Sequence, residues 1–198
     1  MRPIPTPTRQ IRARFDAETI TVYQAYDPAI AEPALAAQTF TSPFKRGRMT
    51  WIKPSFLWMM YRCGWATKPG QTRVLAVDLT RTGFEWALAH SCPSRPADGE
   101  DPEAWRTRLA AAPVRIQWDP ERDLRSARLE HRSIQIGLSG AAVDRYVDQW
   151  ITAITDVTDL AHRIAIDVGA GRIEDAERRL PIERPYPLSA DLREVSDG

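Results

Sequence analysis

Between Thr19 and Tyr26 the chain reads TITVYQAY, where β-branched and aromatic residues alternate with a period of two, predicting a strand with two unlike faces. Asp27-Pro28 pairs a helix cap with a first-turn proline and predicts a short helix from Ala29 to Gln38, weakened by Pro33. The segment RMTWIKPSFLWMMYRCGW divides at Pro54. Arg48 to Lys53 reads as a strand, and Ser55 to Cys63 as a helix ended by Gly64. That helix is apolar nearly all round, which requires burial. Val74 to Thr80 predicts a third strand, followed by a short helix through Phe84, Trp86, Leu88 and Ala89.

Cys92 to Glu100 has the composition of a loop. Asp101-Pro102 repeats the cap-then-proline signal for a helix ending before Pro113, and Val114 to Trp118 resumes as strand. Asp119 to Arg128 reads as a charged turn. Leu129 to Leu138, LEHRSIQIGL, is a strand with Ser133, Gln135 and Gly137 on one face and Ile134, Ile136 and Leu138 on the other. From Ser139 onward Val143, Tyr146, Val147, Trp150, Ile151, Ile154, Val157 and Leu160 recur at three-or-four spacing, predicting a long amphipathic helix packed on the sheet, with a capping signal at Thr155-Asp156. A short charged helix is expected from Arg172 to Leu180. The expected fold is one α+β domain over residues 11–180 with an antiparallel or mixed sheet, a flexible arm at 1–10 and a proline-rich extension at 181–198 crossing the surface.

Composition adds limits. In 198 residues, 43% are hydrophobic and 27% charged, as in ordinary globular domains. No run approaches the ~20 apolar residues that span a bilayer, and MRPIPTPTRQ lacks a signal peptide's apolar stretch, so no membrane association and a cytoplasmic location are expected. Cys63 and Cys92 form no CxxC pair and read as free thiols. The net charge of +1 hides an asymmetry. Between Thr41 and Arg81 stand Lys45, Arg46, Arg48, Lys53, Arg62, Lys68, Arg73 and Arg81 against the single acid Asp78, a positive field suited to phosphate groups or to a solvated face.

The sequence holds no GxGxxG, Walker loop, HExxH, GxSxG or Cys/His metal spacing, and His90, His131 and His162 lie far apart. No metal site is expected. Polar residues inside strands, Gln24, Arg132 and Gln135, call for partners, because an unpaired buried polar group costs about 1–3 kcal/mol. Those partners are ligand atoms if the residues face a cleft, or water at a sheet edge. The helix starting at Pro54 and Ser55 offers N–H donors beside Arg48 and Lys53. On that basis Arg48, Lys53, Ser55, Arg132 and Gln135 are expected to converge on one anion-binding cleft. Asp119 and Glu121 read as turn carboxylates, either solvated caps or general bases.

The blocks IRARF, TVYQAY, RMTWIKPSFLWMMYR, QWDPERD, RSIQIGL and LPIERPYPL resemble a widespread microbial family catalogued as a domain of unknown function, over nearly the whole chain. The order of elements is also similar to the ADP-ribosyltransferase fold, in which a split antiparallel sheet grips NAD in a central cleft. The resemblance implies NAD as a substrate and a macromolecular acceptor, protein or RNA. It also implies one site residue from the first strand (Arg12, or Tyr23 with Gln24), one from the second strand region (Thr50 or Ser55), and Gln135 from a late strand as the catalytic position. No glutamate stands on the polar face of RSIQIGL, so catalysis would rest on orientation and electrostatics or recruit Glu121 or Glu130. The alternative is a non-catalytic nucleic-acid-binding module using the basic 45–81 segment.

Overall fold

Residues 7–192 are described by the computed structural model; positions 1–6 of the expected arm at 1–10 and positions 193–198 of the expected extension at 181–198 lie outside them. Arg12–Ala13 forms a short strand, β1, and Thr19–Tyr26 forms β2. After helix α1 (Pro28–Ala37), capped by the Asp27 carboxylate on Ala29 N–H, come β3 (Thr50–Ile52) and helix α2 (Phe56–Cys63). β4 (Arg73–Thr80) leads into α3 (Arg81–Ala89), then β5 (Ser91–Pro93), α4 (Pro102–Ala111), β6 (Val114–Arg122) and β7 (Arg128–Leu138). The chain continues through α5 (Ala141–Arg145), a π-helical turn at Tyr146–Trp150, β8 (Ile151–Asp156), α6 (Thr158–Gly169), α7 (Ile173–Arg179) and β9 (Arg184–Pro185).

These strands make an α+β domain with two main sheets flanked by helices. One is antiparallel, in the order β2-β4-β8; the other is mixed, in the order β3-β7-β6-β5, with β5 parallel to β6. A third pairing joins β1 to β9. The main sheets meet at one residue pair: Tyr23 N–H donates to the Lys53 carbonyl at 2.7 Å and Lys53 N–H to the Tyr23 carbonyl at 3.3 Å. Pro54 has no N–H with which to extend that ladder. The two sheets part there.

The middle strand β4 buries Val74, Leu75, Ala76, Val77 and Leu79, because helices cover both faces of its sheet. One apolar cluster joins Ile20, Val22, Val77, Ile134, Ile136 and Tyr146, and a second joins Tyr23, Phe56, Met60, Cys63 and Ile164 under α2 and α6. Cys63 and Cys92 are free thiols, both buried. No described helix is long and apolar enough to cross a membrane.

Three expected elements differ. The long helix from Ser139 is interrupted by β8, which pairs antiparallel with β4. Its segment ITAITD is rich in β-branched residues, and the backbone groups along that side of β4 need partners that a helix cannot supply. The charged turn at Asp119–Arg128 shrinks, since β6 runs on through Pro120 to Arg122, with a register shift between them. The Cys92–Glu100 loop begins inside β5.

The described residues near each end are tied down as well. The Thr8 carbonyl accepts from Arg132 N–H at 2.7 Å, so the described part of the N-terminal arm runs beside β7. In the C-terminal extension β9 pairs with β1, and Tyr186 is buried against Phe15 and Phe84.

A basic cleft between the parted sheets

A cavity of about 580 Å³ opens where β2 and β3 separate, lined by Gln24 and Tyr26 from β2, by Thr50 and Trp51 from β3, and by Lys45, Arg48, Lys53 and Arg62. A second pocket of about 490 Å³ shares Trp51, Lys53 and Arg62 with it and continues over Gln117, Asp119 and Gln135 to Tyr61 and Arg122. Together they run from β2 across β3 to the β6–β7 ladder.

The basic segment divides by partner. Arg46 binds Asp144 and Asp148, Arg73 binds Asp156 and Glu32, Arg81 binds Glu85 and the Tyr186 hydroxyl, and Lys68 donates to the carbonyls of Tyr61 and Arg62. Lys45, Arg48, Lys53 and Arg62 instead line the cleft. Lys53 is buried, with its Nζ 3.4 Å from the Trp51 carbonyl. Burial, reinforced by the Arg62 charge, brings its pKa down to about 8, while Cys63 and Asp119 act the other way.

Gln24 is only 3% exposed, and its amide is committed to the protein. Its Nε2 donates to Thr50 Oγ1 and Tyr26 Oη, both at 2.9 Å, and its Oε1 accepts from the Tyr146 hydroxyl at 2.5 Å. This residue ties β2 to β3 beside the split. Thr50 is buried and Tyr26 half-buried at the cavity wall, and burial pushes the Tyr26 phenol up to about 12. Tyr23 is buried edge-to-face against Phe56 rather than among the cavity-lining residues.

Gln135 faces the second pocket, and its Nε2 donates to Asp119 Oδ2 at 2.7 Å. Gln117 Nε2 donates to Asp119 Oδ1 at 3.0 Å. A half-buried carboxylate is thus held by two amides on the cleft floor. Asp119 was already a candidate base in the sequence, but its partnership with the two amides was legible only with β6 extended past Trp118: Gln117 and Asp119 then share a face, and the β6–β7 register sets Gln117 opposite Gln135. Pro120 gave the segment the look of a turn.

Besides Tyr23, three expected site residues lie outside the joined pockets. Ser55 caps α2, its Oγ accepting from Trp58 N–H at 3.1 Å, and is 1% exposed. The neighbouring Phe56 N–H donates to Glu183 Oε1 at 2.7 Å. The α2 N-terminus therefore serves its own chain and not an external anion. Desolvation pushes the Glu183 carboxyl up to about 8, opposed by the Phe56 hydrogen bond and reinforced by Glu121. Arg132 projects from β7 on the side opposite Gln135, as an odd spacing requires, donates to the Trp118 carbonyl and lines a third pocket, which meets the second at Gln117, Asp119, Pro120 and Arg128. Arg12 donates to Gln10 and to the Glu183 carbonyl, away from the cleft. Of the five residues expected to converge, Arg48, Lys53 and Gln135 line the joined pockets, and Ser55 and Arg132 do not. Trp51 lines both pockets and Trp58 the second.

Fold and site define a split-sheet α+β protein with a basic cleft at the split. The chain belongs to the family described as a domain of unknown function (DUF4291), whose model matches residues 10–186. No curated protein and no solved structure matches it.

Proposed function

We propose that this protein binds NAD in the cleft and transfers ADP-ribose to a macromolecular acceptor. The observation that carries this reading is the parting of the two sheets at the Tyr23–Lys53 pair, which sets β2 and β3 around one basic cavity, with Gln135 of the late polar strand β7 in the pocket that adjoins it. That is the arrangement implied by the resemblance to ADP-ribosyltransferases. Arg48, Lys53 and Arg62 supply charge for the pyrophosphate, and Trp51 and Tyr26 supply aromatic surface.

In the transfer, the bond between ribose C1′ and the nicotinamide nitrogen breaks, and its electron pair leaves with neutral nicotinamide. An acceptor nitrogen or oxygen bonds to C1′, and its proton passes to the Asp119 carboxylate and then to water. Asp119 also faces the positive charge that develops on the ribose. Gln135 cannot take a proton, and its role is to hold Asp119.

Titration calorimetry with NAD, together with chromatographic measurement of nicotinamide release, tests the reading. Binding between micromolar and low-millimolar NAD with release is the expected result. Asp119→Asn should lower release by about 10²–10⁴-fold and leave the NAD Kd within a few-fold. Absence of NAD binding and release in the unaltered protein overturns it.

The non-catalytic nucleic-acid module is less well supported in its original form. Arg46, Lys68, Arg73 and Arg81 are engaged internally, so the 45–81 segment does not present its charge as one free stripe.

A further inference from the structure

We infer that the pocket between α2 and the β6–β7 ladder docks a single-stranded polynucleotide, the acceptor of the ADP-ribose. The acceptor role rests on the transferase reading above; the binding does not. Tyr61 and Trp58 stack with ring centroids 5.3 Å apart, and the Arg122 guanidinium lies 3.9 Å from the Tyr61 ring. Tyr61, the half-buried member of this group, offers a ring on which an unpaired base stacks irrespective of sequence. Around it Lys53, Arg62, Arg122 and Arg128 stand against the single carboxylate of Asp119, a balance that draws a phosphate backbone.

A second observation points to a ligand. Trp58 Nε1 and Arg122 Nε are buried donors with no acceptor among the described residues, on side chains 5% and 7% exposed, and both residues line this pocket. Buried donors in folded proteins are nearly always paired, and phosphate and base oxygens are acceptors of the required kind. The volume of about 490 Å³ falls in the range of sites that hold a nucleotide-sized group. Asp119 lines this pocket, which joins the NAD cleft at Trp51, Lys53 and Arg62, so a base or ribose held here presents its nucleophile beside the C1′ bond that breaks. An acidic protein surface would satisfy the charge and leave the ring stack unused.

The test is fluorescence anisotropy of a labelled mixed-sequence single-stranded RNA, and of DNA of the same sequence, without NAD and at about 50 mM salt. Saturable binding that weakens with salt is expected, and comparison of the two strands identifies the preferred sugar. Tyr61→Ala should weaken binding about tenfold. The exposed Arg128→Glu should weaken it and reduce the salt slope by about 0.7. Nicotinamide release from NAD alone should be unchanged in both variants, and mass spectrometry after incubation with NAD should find ADP-ribose on the strand. No binding up to about 100 µM protein, unchanged affinity in both variants, or ADP-ribose only on protein side chains overturns the inference. Loss of strand binding with nicotinamide release intact removes this inference alone, whereas absence of NAD binding and release removes the transferase reading.

Discussion

Lys53 is the cleft residue whose charge the fold controls most directly. Its ammonium is desolvated and repelled by Arg62 of α2, and its pKa of about 8 falls within a usable pH range. Below that value it is charged and attracts an anionic ligand; above it the neutral amine does not. NAD affinity should therefore fall as pH rises through about 8, and Lys53→Met should bind more weakly at low pH and lose most of that dependence; calorimetry at either side of the value checks both. Gln135 makes a different prediction. Its single bond to Asp119 positions a reacting group and does not bind substrate, so Gln135→Ala should lower kcat roughly tenfold with KM nearly unchanged, whereas a collapsed cleft would raise KM as well. Gln24 carries the lesson about legibility at this scale. Its place between apolar neighbours correctly marked it as a polar group needing partners, but those partners, Thr50, Tyr26 and Tyr146, lie up to 122 positions away and are protein atoms.

At the scale of elements, α2 depends on a distant segment. Ser55 and Gly64 fix its ends from the sequence, with Gly64 in the left-handed region at φ 60°. Glu183 takes the donor that would otherwise have made an anion site. The Glu183 carboxyl is raised from 4.5 to about 8, so between these values the folded protein keeps a proton that the unfolded chain releases. This group's contribution to stability thus falls as pH rises across that window. Glu183→Gln keeps an oxygen acceptor for Phe56 N–H and cannot titrate, and it should flatten the pH dependence of the thermal midpoint there. Glu183→Ala removes the acceptor and should cost about 1–2 kcal/mol in urea unfolding. β8 teaches a related point: its three-or-four spacing matched a helix and its β-branched content a strand, and the open side of β4 decided between them.

At the scale of the whole molecule, the C-terminal segment closes the domain. The Tyr186 ring packs on Phe15 and Phe84, its hydroxyl donates to Glu85 at 2.6 Å and accepts from Arg81 at 2.9 Å, and β9 holds β1. Tyr186→Ala should cost about 3–5 kcal/mol in urea unfolding, and a chain ending at Leu180 should unfold at a still lower denaturant concentration.

By itself the sequence determined the α+β class, most of the strands and helices, the family-specific blocks and the concentration of positive charge in one segment. Those are properties of neighbouring residues: period, capping, branching and local charge. Only the tertiary structure decided that the sheets part at one residue pair, that half of the basic segment is consumed in internal contacts, and that Asp119 rather than Ser55 or Arg132 joins Gln135. The physical reason is that a side chain's availability depends on which partner reaches it first. For Phe56 N–H that partner is a carboxyl group 127 residues along the chain, brought there by the pairing of β1 with β9.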